Sequence, residues 1–177
     1  MLLRAESLAA THAIAAELAA LSRPGDVIVL AGDMGAGKTA FAQGFGAALG
    51  ITEPITSPTF TLVHSYECGK ITLHHADLYR LERTTEVVDL ALAELAEFDG
   101  IVLVEWGDVA GAALGDHIEV RLELPLVDDD VDDDVDDDDP DDVALLDGVR
   151  QIEVTPAGRA WAGRWDRLVH AVEPFRC

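Results

Sequence analysis

The 177-residue sequence has no asparagine, only two lysines and two cysteines, and no long apolar run. Each shortage excludes something. Cys68 and Cys177 provide neither a disulfide framework nor a metal-binding pair, which points to a reducing, cytoplasmic setting. Ten arginines and two lysines face 34 aspartates and glutamates, and they form no basic cluster of the kind that grips a phosphate backbone. Direct nucleic-acid binding by this chain alone is therefore not expected. No apolar stretch approaches the roughly 18 residues that a membrane span needs. The opening MLLRAESLAATH interrupts its apolar residues with Arg4 and Glu6, unlike a secretory leader, so no membrane association is expected.

What is present is apolar side chain, 49% of the sequence, enough at this length for one buried core. The net charge of −22 is concentrated: twelve of the 34 acidic residues lie in 128–142, DDDVDDDVDDDDPDD. Like charges repel and the tract has almost nothing apolar to bury, so it reads as a solvated loop. The remainder of the chain stays acidic. Residues 1–177 read as a single domain with this loop inside it.

Leu8, Thr11, Ala15, Leu18 and Leu21 recur at helical spacing behind Ser7, an N-cap residue, and RPGD ends that helix. Val27–Ala31 is a continuous apolar run, the mark of a strand buried on both faces. A helix over Lys38–Leu49 follows, closed by Gly50. Strands are predicted over 59–67 and 71–75 with CGK as the turn, and an amphipathic helix over 85–98. GIVLVEWGD gives a second fully apolar strand. HIEVRLEL (117–124) and VRQIEV (149–154) alternate with period two and predict an antiparallel hairpin at a sheet edge, connected through the aspartate tract. Trp161, Trp165, Leu168 and Val172 mark a last helix. Strands alternating with helices point to an α/β fold, layers packed around a largely parallel sheet.

Between the first apolar strand and the second helix stands GDMGAGKT, residues 32–39, which fits G-x-x-x-x-G-K-[ST]. Glycines let the backbone curl until successive N–H groups converge on a phosphate, and the following helix turns its positive end toward it. Asp33, Gly35, Ala36, Gly37, Lys38 and Thr39 are the expected nucleotide contacts, with the Lys38 ammonium at the β- and γ-phosphates and the Thr39 hydroxyl on Mg²⁺. A chain that otherwise prefers arginine has put a lysine where a compact point charge is wanted. Such a loop needs a carboxylate on a neighbouring strand, and Glu105 ends IVLVE where that group belongs. Asp77 in LHHADLYR is a second carboxylate, sharing its side of the strand with His75 while His74 faces the other way. His75 itself reads as a hydrogen-bonded structural histidine. SPTF (57–60) lies where other nucleotide switches sense the γ-phosphate, or is mere punctuation before a strand. DVAG (108–111) superficially fits D-x-x-G, but the guanine-reading N-K-x-D cannot exist without asparagine, so ATP is the expected nucleotide.

GDMGAGKT (32–39), SPTFTLVHSY (57–66), HADLYRL (75–81) and VEWGD (104–108) together resemble the TsaE (YjeE) family, the P-loop ATPases of bacterial tRNA threonylcarbamoyladenosine synthesis. The resemblance covers the chain from the first helix to the final hairpin apart from the aspartate tract, where relatives have a shorter connection. It implies a P-loop NTPase fold, a three-layer α/β sandwich, with ATP and Mg²⁺ as cofactors and the TsaB–TsaD heterodimer as partner, tRNA being met indirectly through that complex. It implies catalytic roles for Lys38, Asp77 and Glu105, metal binding by Thr39 and Glu105, Trp106 as the second half of an EW pair, and Thr11 as a residue near the nucleotide. No residue stands out as an arginine finger, Arg80 and Arg83 being the nearest, so hydrolysis is expected to be weak until partners stimulate it. The alternatives are a nucleotide-gated assembly module in which hydrolysis is incidental, and a small-molecule kinase.

Overall fold

The computed structural model describes residues 1–81, 86, 90–97, 99–107, 110, 114–125 and 148–177. In chain order its elements are β1 (Leu2–Ala5), α1 (Leu8–Leu21), β2 (Val27–Ala31), α2 (Lys38–Leu49), β3 (Val63–Cys68), β4 (Ile71–Asp77), α3 (Leu92–Glu97), β5 (Gly100–Glu105), β6 (His117–Glu123), β7 (Arg150–Ala157) and α4 (Trp165–Ala171). The seven strands form one sheet in the order β1-β7-β6-β2-β5-β4-β3. The inner four, β6, β2, β5 and β4, run parallel, while β1, β7 and β3 join antiparallel.

The apolar runs of β2 and β5 are explained by burial on both faces. Ile28 and Leu30, with Ile101 and Leu103, point into a core completed by Ile14 and Leu18 of α1 and Phe41 and Phe45 of α2. Their neighbours Val27, Val29, Val102 and Val104 point the other way, against Leu92 and Ala96 of α3. The period-two geometry of a strand thus divides one hydrophobic run between two layers of helices. Ser7 caps α1 as its type predicts, accepting from the Ala10 amide at 3.2 Å. Arg164, just before α4, is buried against Asp26 at the start of β2 (Nη2 to Oδ1, 2.7 Å) and also donates to the Leu21 carbonyl. This pair fastens the C-terminal segment to the far end of the sheet.

Three expectations are corrected. The β6–β7 hairpin is antiparallel but does not form the edge, because β1 pairs with the outer side of β7, Leu2 opposite Glu153 and Ala5 opposite Arg150. β3 starts at Val63, four residues later than 59–67 predicts; Leu62 turns the chain at φ +63° and its amide donates to the Pro58 carbonyl. β4 continues past His75 to Asp77, held by parallel pairing that sets Asp77 opposite Glu105. Of the helix predicted over 85–98, Leu92–Glu97 is helical, while 85, 87–89 and 98 lie outside the described residues, as do the aspartate tract 128–142 and Asp108, Val109 and Gly111 of DVAG. Among the described residues no helix is long and apolar enough to cross a membrane.

Candidate functional site

The parallel register brings the carboxyl ends of β2, β4 and β5 together, and the chain leaves β2 through residues 32–37 into α2. Ligands of open α/β sheets bind beyond such strand ends. Two glycines make this loop possible. Gly32 has φ +127°, and a Cβ there would lie 2.1 Å from the Leu122 carbonyl oxygen of β6. Gly37 opens α2 at φ +104°, in the left-handed region. The loop wraps one side of a cavity of about 300 Å³ lined by Met34, Gly35, Gly37, Lys38, Thr39 and Ala40 on that side. The first turn of a helix presents N–H groups that no helical carbonyl reaches, so this wall is electropositive by construction.

Lys38 is 5% exposed. Its ammonium donates to the carbonyls of Gly32 (2.7 Å) and Asp33 (2.8 Å) and lies 3.7 Å from the centroid of the Trp106 ring. Trp106 adopts φ +60°, a backbone state that costs a bulky residue energy, and it immediately follows the end of β5. That turn sets the indole against Lys38 and, at 5.1 Å, against Tyr79.

Glu105, 3% exposed, accepts the Thr39 hydroxyl at 2.9 Å (Oε1) and 3.1 Å (Oε2), and its Oε1 lies 2.9 Å from His75 Nε2. A proton on Nε2 makes this a hydrogen bond to the carboxylate. His75 Nδ1, buried with no partner among the described residues, is then a bare acceptor, the cheaper group to leave unpaired. A hydroxyl and a carboxylate in contact at the mouth of the loop suit a hard, oxygen-seeking cation. Magnesium in particular is held by one or two carboxylates plus substrate phosphates rather than by a full protein cage. Among the described residues no set of three or more His, Cys, Asp and Glu side chains gathers into a metal cluster.

The opposite wall belongs to Asp77, 2% exposed. Its Oδ2 accepts the hydroxyls of Ser57 and, at 2.8 Å, Thr59; its Oδ1 accepts the Tyr79 amide at 2.9 Å. Ser57, Thr59, Asp77 and Tyr79 all line the cavity. Segment 57–59 is therefore pinned to the end of β4 by a buried carboxylate. Phe60 beside it is 85% exposed and carries the Arg80 guanidinium over its ring at 4.5 Å.

Of the residues expected from the sequence, Gly35, Gly37, Lys38, Thr39, Asp77 and Glu105 line one cavity, joined by Trp106. Asp33 contributes its backbone carbonyl to Lys38, and Ala36 is buried in the loop with its amide 3.2 Å from the Asp33 carbonyl. Thr11 is not brought to the cavity: it is buried on α1, with its hydroxyl donating to the Ser7 carbonyl at 3.3 Å. Arg80 does not line the cavity either, and Arg83 lies outside the described residues. Sequence reasoning gave Tyr79 no role, singled out 57–60 without tying the Ser57 and Thr59 hydroxyls to Asp77, and gave His75 no link to Glu105. It also overlooked Arg150, whose buried guanidinium donates from Nε to the Ala36 carbonyl at 3.1 Å and is lowered in pKa by desolvation. The alternation of LHHAD, which sets His75 beside Asp77, was the one available signal; nothing local marks Arg150.

Comparison with known proteins agrees with this architecture. The family model described as threonylcarbamoyl adenosine biosynthesis protein TsaE matches residues 5–131. A tRNA threonylcarbamoyladenosine biosynthesis protein TsaE from Bacillus subtilis is 50% identical over 96 residues, 54% of this chain and 60% of its own. The protein of the same description from Nostoc is 53% identical over 88 residues, 48% of this chain and 54% of its own. The chain thus spans between half and two thirds of these two relatives. The one from Streptomyces coelicolor is 36% identical over 149 residues, 82% of this chain and 89% of its own. The crystal structure of Bacillus subtilis YdiB superposes with a TM-score of 0.68 at 29% identity, covering 96% of this chain and 94% of that one. With the family match extending over well more than half of its length, this chain belongs to the TsaE family.

Proposed function

We propose that the chain is a single-domain P-loop ATPase of tRNA threonylcarbamoyladenosine synthesis, working in the cytoplasm with the TsaB–TsaD heterodimer and meeting tRNA through that complex. The observation that carries the reading is the convergence of Lys38, Thr39 and Glu105 on one cavity at the mouth of a glycine loop. In this reading the loop amides and Lys38 bind the phosphate chain, the ammonium exchanging the carbonyls of Gly32 and Asp33 for phosphate oxygens. Thr39 and Glu105 hold Mg²⁺, which supplies charge neutralisation at the phosphates when bound. His75 fixes the orientation of Glu105. Water attacks the γ-phosphorus in line, its oxygen joining the phosphoryl group while the bridging oxygen leaves with ADP. Asp77 and the hydroxyls of Ser57 and Thr59 face that end of the cavity and orient what enters it. Arg80 rests on Phe60 and does not line the cavity, which supports slow hydrolysis by the isolated chain and stimulation by partners.

The test is reconstitution with TsaB, TsaD, tRNA and threonylcarbamoyl adenylate, with and without this chain. Multiple rounds of product only in its presence are expected; equal turnover without it rejects the reading. Calorimetry with ATP and Mg²⁺ checks the site alone, where the absence of binding heat even with TsaB and TsaD present rejects it.

A second reading is favoured by one observation: both oxygens of Asp77 are already engaged, so it is not poised as a base. ATP binding then gates assembly and hydrolysis is incidental. A Glu105→Ala protein that binds ATP without hydrolysing it separates the two, since normal tRNA modification with it selects gating.

A further inference from the structure

The phosphate-binding loop has a rear support that its motif does not contain. Arg150, the first residue of β7, is 3% exposed. Its Nε donates to the Ala36 carbonyl at 3.1 Å and its Nη1 to the Val149 carbonyl, also at 3.1 Å. A Cβ placed on Gly37 would lie 3.6 Å from that Nε and 3.8 Å from Leu122 of β6, so the guanidinium and the neighbouring strand lie directly against the loop. The 36–37 peptide is trans. In a trans peptide the carbonyl of one residue and the N–H of the next point in opposite directions. Gly37 lines the cavity while neither Ala36 nor Arg150 does, so the Ala36 carbonyl is held from outside it and the opposed Gly37 N–H is turned away from Arg150.

Resting on the nucleotide reading of this cavity, we propose that Arg150 is a positioning residue for phosphate binding: from behind the loop it fixes the 36–37 peptide so that the Gly37 N–H is presented to the phosphate chain. Glycine at 37 is free to rotate its flanking peptides, which the loop needs to form and which leaves the direction of that N–H undetermined by the motif alone. A charge-assisted hydrogen bond from a buried, immobile guanidinium removes the freedom.

The experiment compares wild type, Arg150→Met and Arg150→Lys. Methionine keeps much of the buried volume while removing every donor, which leaves the Ala36 and Val149 carbonyls without that partner and costs some stability. Binding of ATP, ADP and tripolyphosphate with Mg²⁺ is measured by calorimetry, and the Gly37 amide is followed by ¹⁵N NMR. Arg150→Met is expected to bind all three about tenfold more weakly, and Arg150→Lys within about threefold of wild type. The Gly37 amide resonance should move strongly on adding ADP to wild type and little in Arg150→Met, while that of Thr39 moves in both. Unchanged affinity in Arg150→Met overturns the proposal, as does weakened affinity with a normal Gly37 response. If Arg150→Met does not fold, Arg150→Gln takes its place, read by the same affinities and the same Gly37 and Thr39 amide shifts, with the same outcomes upholding or overturning the proposal. A wild-type protein that binds none of the three ligands rejects the nucleotide site itself, a distinct result.

Discussion

The two walls of the cavity end in carboxylates that face each other across adjacent strands, Glu105 on β5 and Asp77 on β4, paired in register. Both are almost fully buried, yet their company differs. Glu105 meets a hydroxyl from the first turn of α2 and a histidine from β4. Asp77 is saturated by hydroxyls of the 57–59 segment and by the Tyr79 amide. One wall is framed by regular elements and a loop whose backbone allows few alternatives. The other is a connecting segment tied down by hydrogen bonds to a buried carboxylate, each worth about 1.5–3 kcal/mol net. The first wall holds its charge with regular elements, the second with the hydroxyls of a loop.

The largest effect expected from breaking the contrast comes from Glu105→Gln. The amide retains the shape but loses the charge beside Thr39, and if the chain hydrolyses ATP as proposed, that hydrolysis should fall about 10²–10³-fold, as for loss of a preorganised electrostatic group. Single-turnover phosphate release measures it; a fall below threefold would mean that this wall is not where charge is managed. Next comes Gly32→Ala, which puts a Cβ against the Leu122 carbonyl at a φ that L residues avoid. It should cost about 2–3 kcal/mol in urea unfolding, and an unchanged midpoint would show that the loop yields more easily than its geometry says.

How much of this was legible in advance follows the same division. β2, α2, β5 and the antiparallel pairing of β6 with β7 were visible because burial on two faces, or on one, writes its period into consecutive residues. Lys38, Thr39 and Glu105 were visible because a motif fixes the first two and a strand end fixes the third. β1 was not: the four residues LLRA, with Arg4 among them and Glu6 just after, carry no pattern, and the strand exists only because β7, some 150 positions away, offers an edge. The late start of β3 was hidden for a similar reason, since the Thr59 side chain is drawn to Asp77 and the chain turns at Leu62 before pairing. His75 illustrates the limit best. Expected as a structural histidine, it is indeed hydrogen-bonded, but its partner is the Glu105 of the site, an identity only the tertiary fold supplies.

On the second wall, and on the same proposed ATPase activity, Asp77→Asn should slow hydrolysis about tenfold while leaving ATP affinity within threefold, because the amide still accepts one hydroxyl but loses the charge that holds both. Equal losses in affinity and rate would place Asp77 with Glu105 and erase the distinction. The smallest expected effects belong to Ser57→Ala and Thr59→Ala, each about 1.5 kcal/mol in chemical unfolding. A double-mutant cycle of either with Asp77→Asn should give a coupling of about 0.5–1 kcal/mol. Strict additivity would mean that the hydroxyls and the carboxylate are neighbours without being a latch.

The indole that turns back over Lys38 has a practical corollary. The emission of tryptophan responds to charge lying on its ring face, and here the charge is the group that an arriving anion would recruit. Trp161 is buried within the main core and Trp165 packs against it, so both contribute a steady background. The protein thus carries its own optical gauge of occupancy, readable without a label, and silencing it by Trp106→Phe would identify the signal's source.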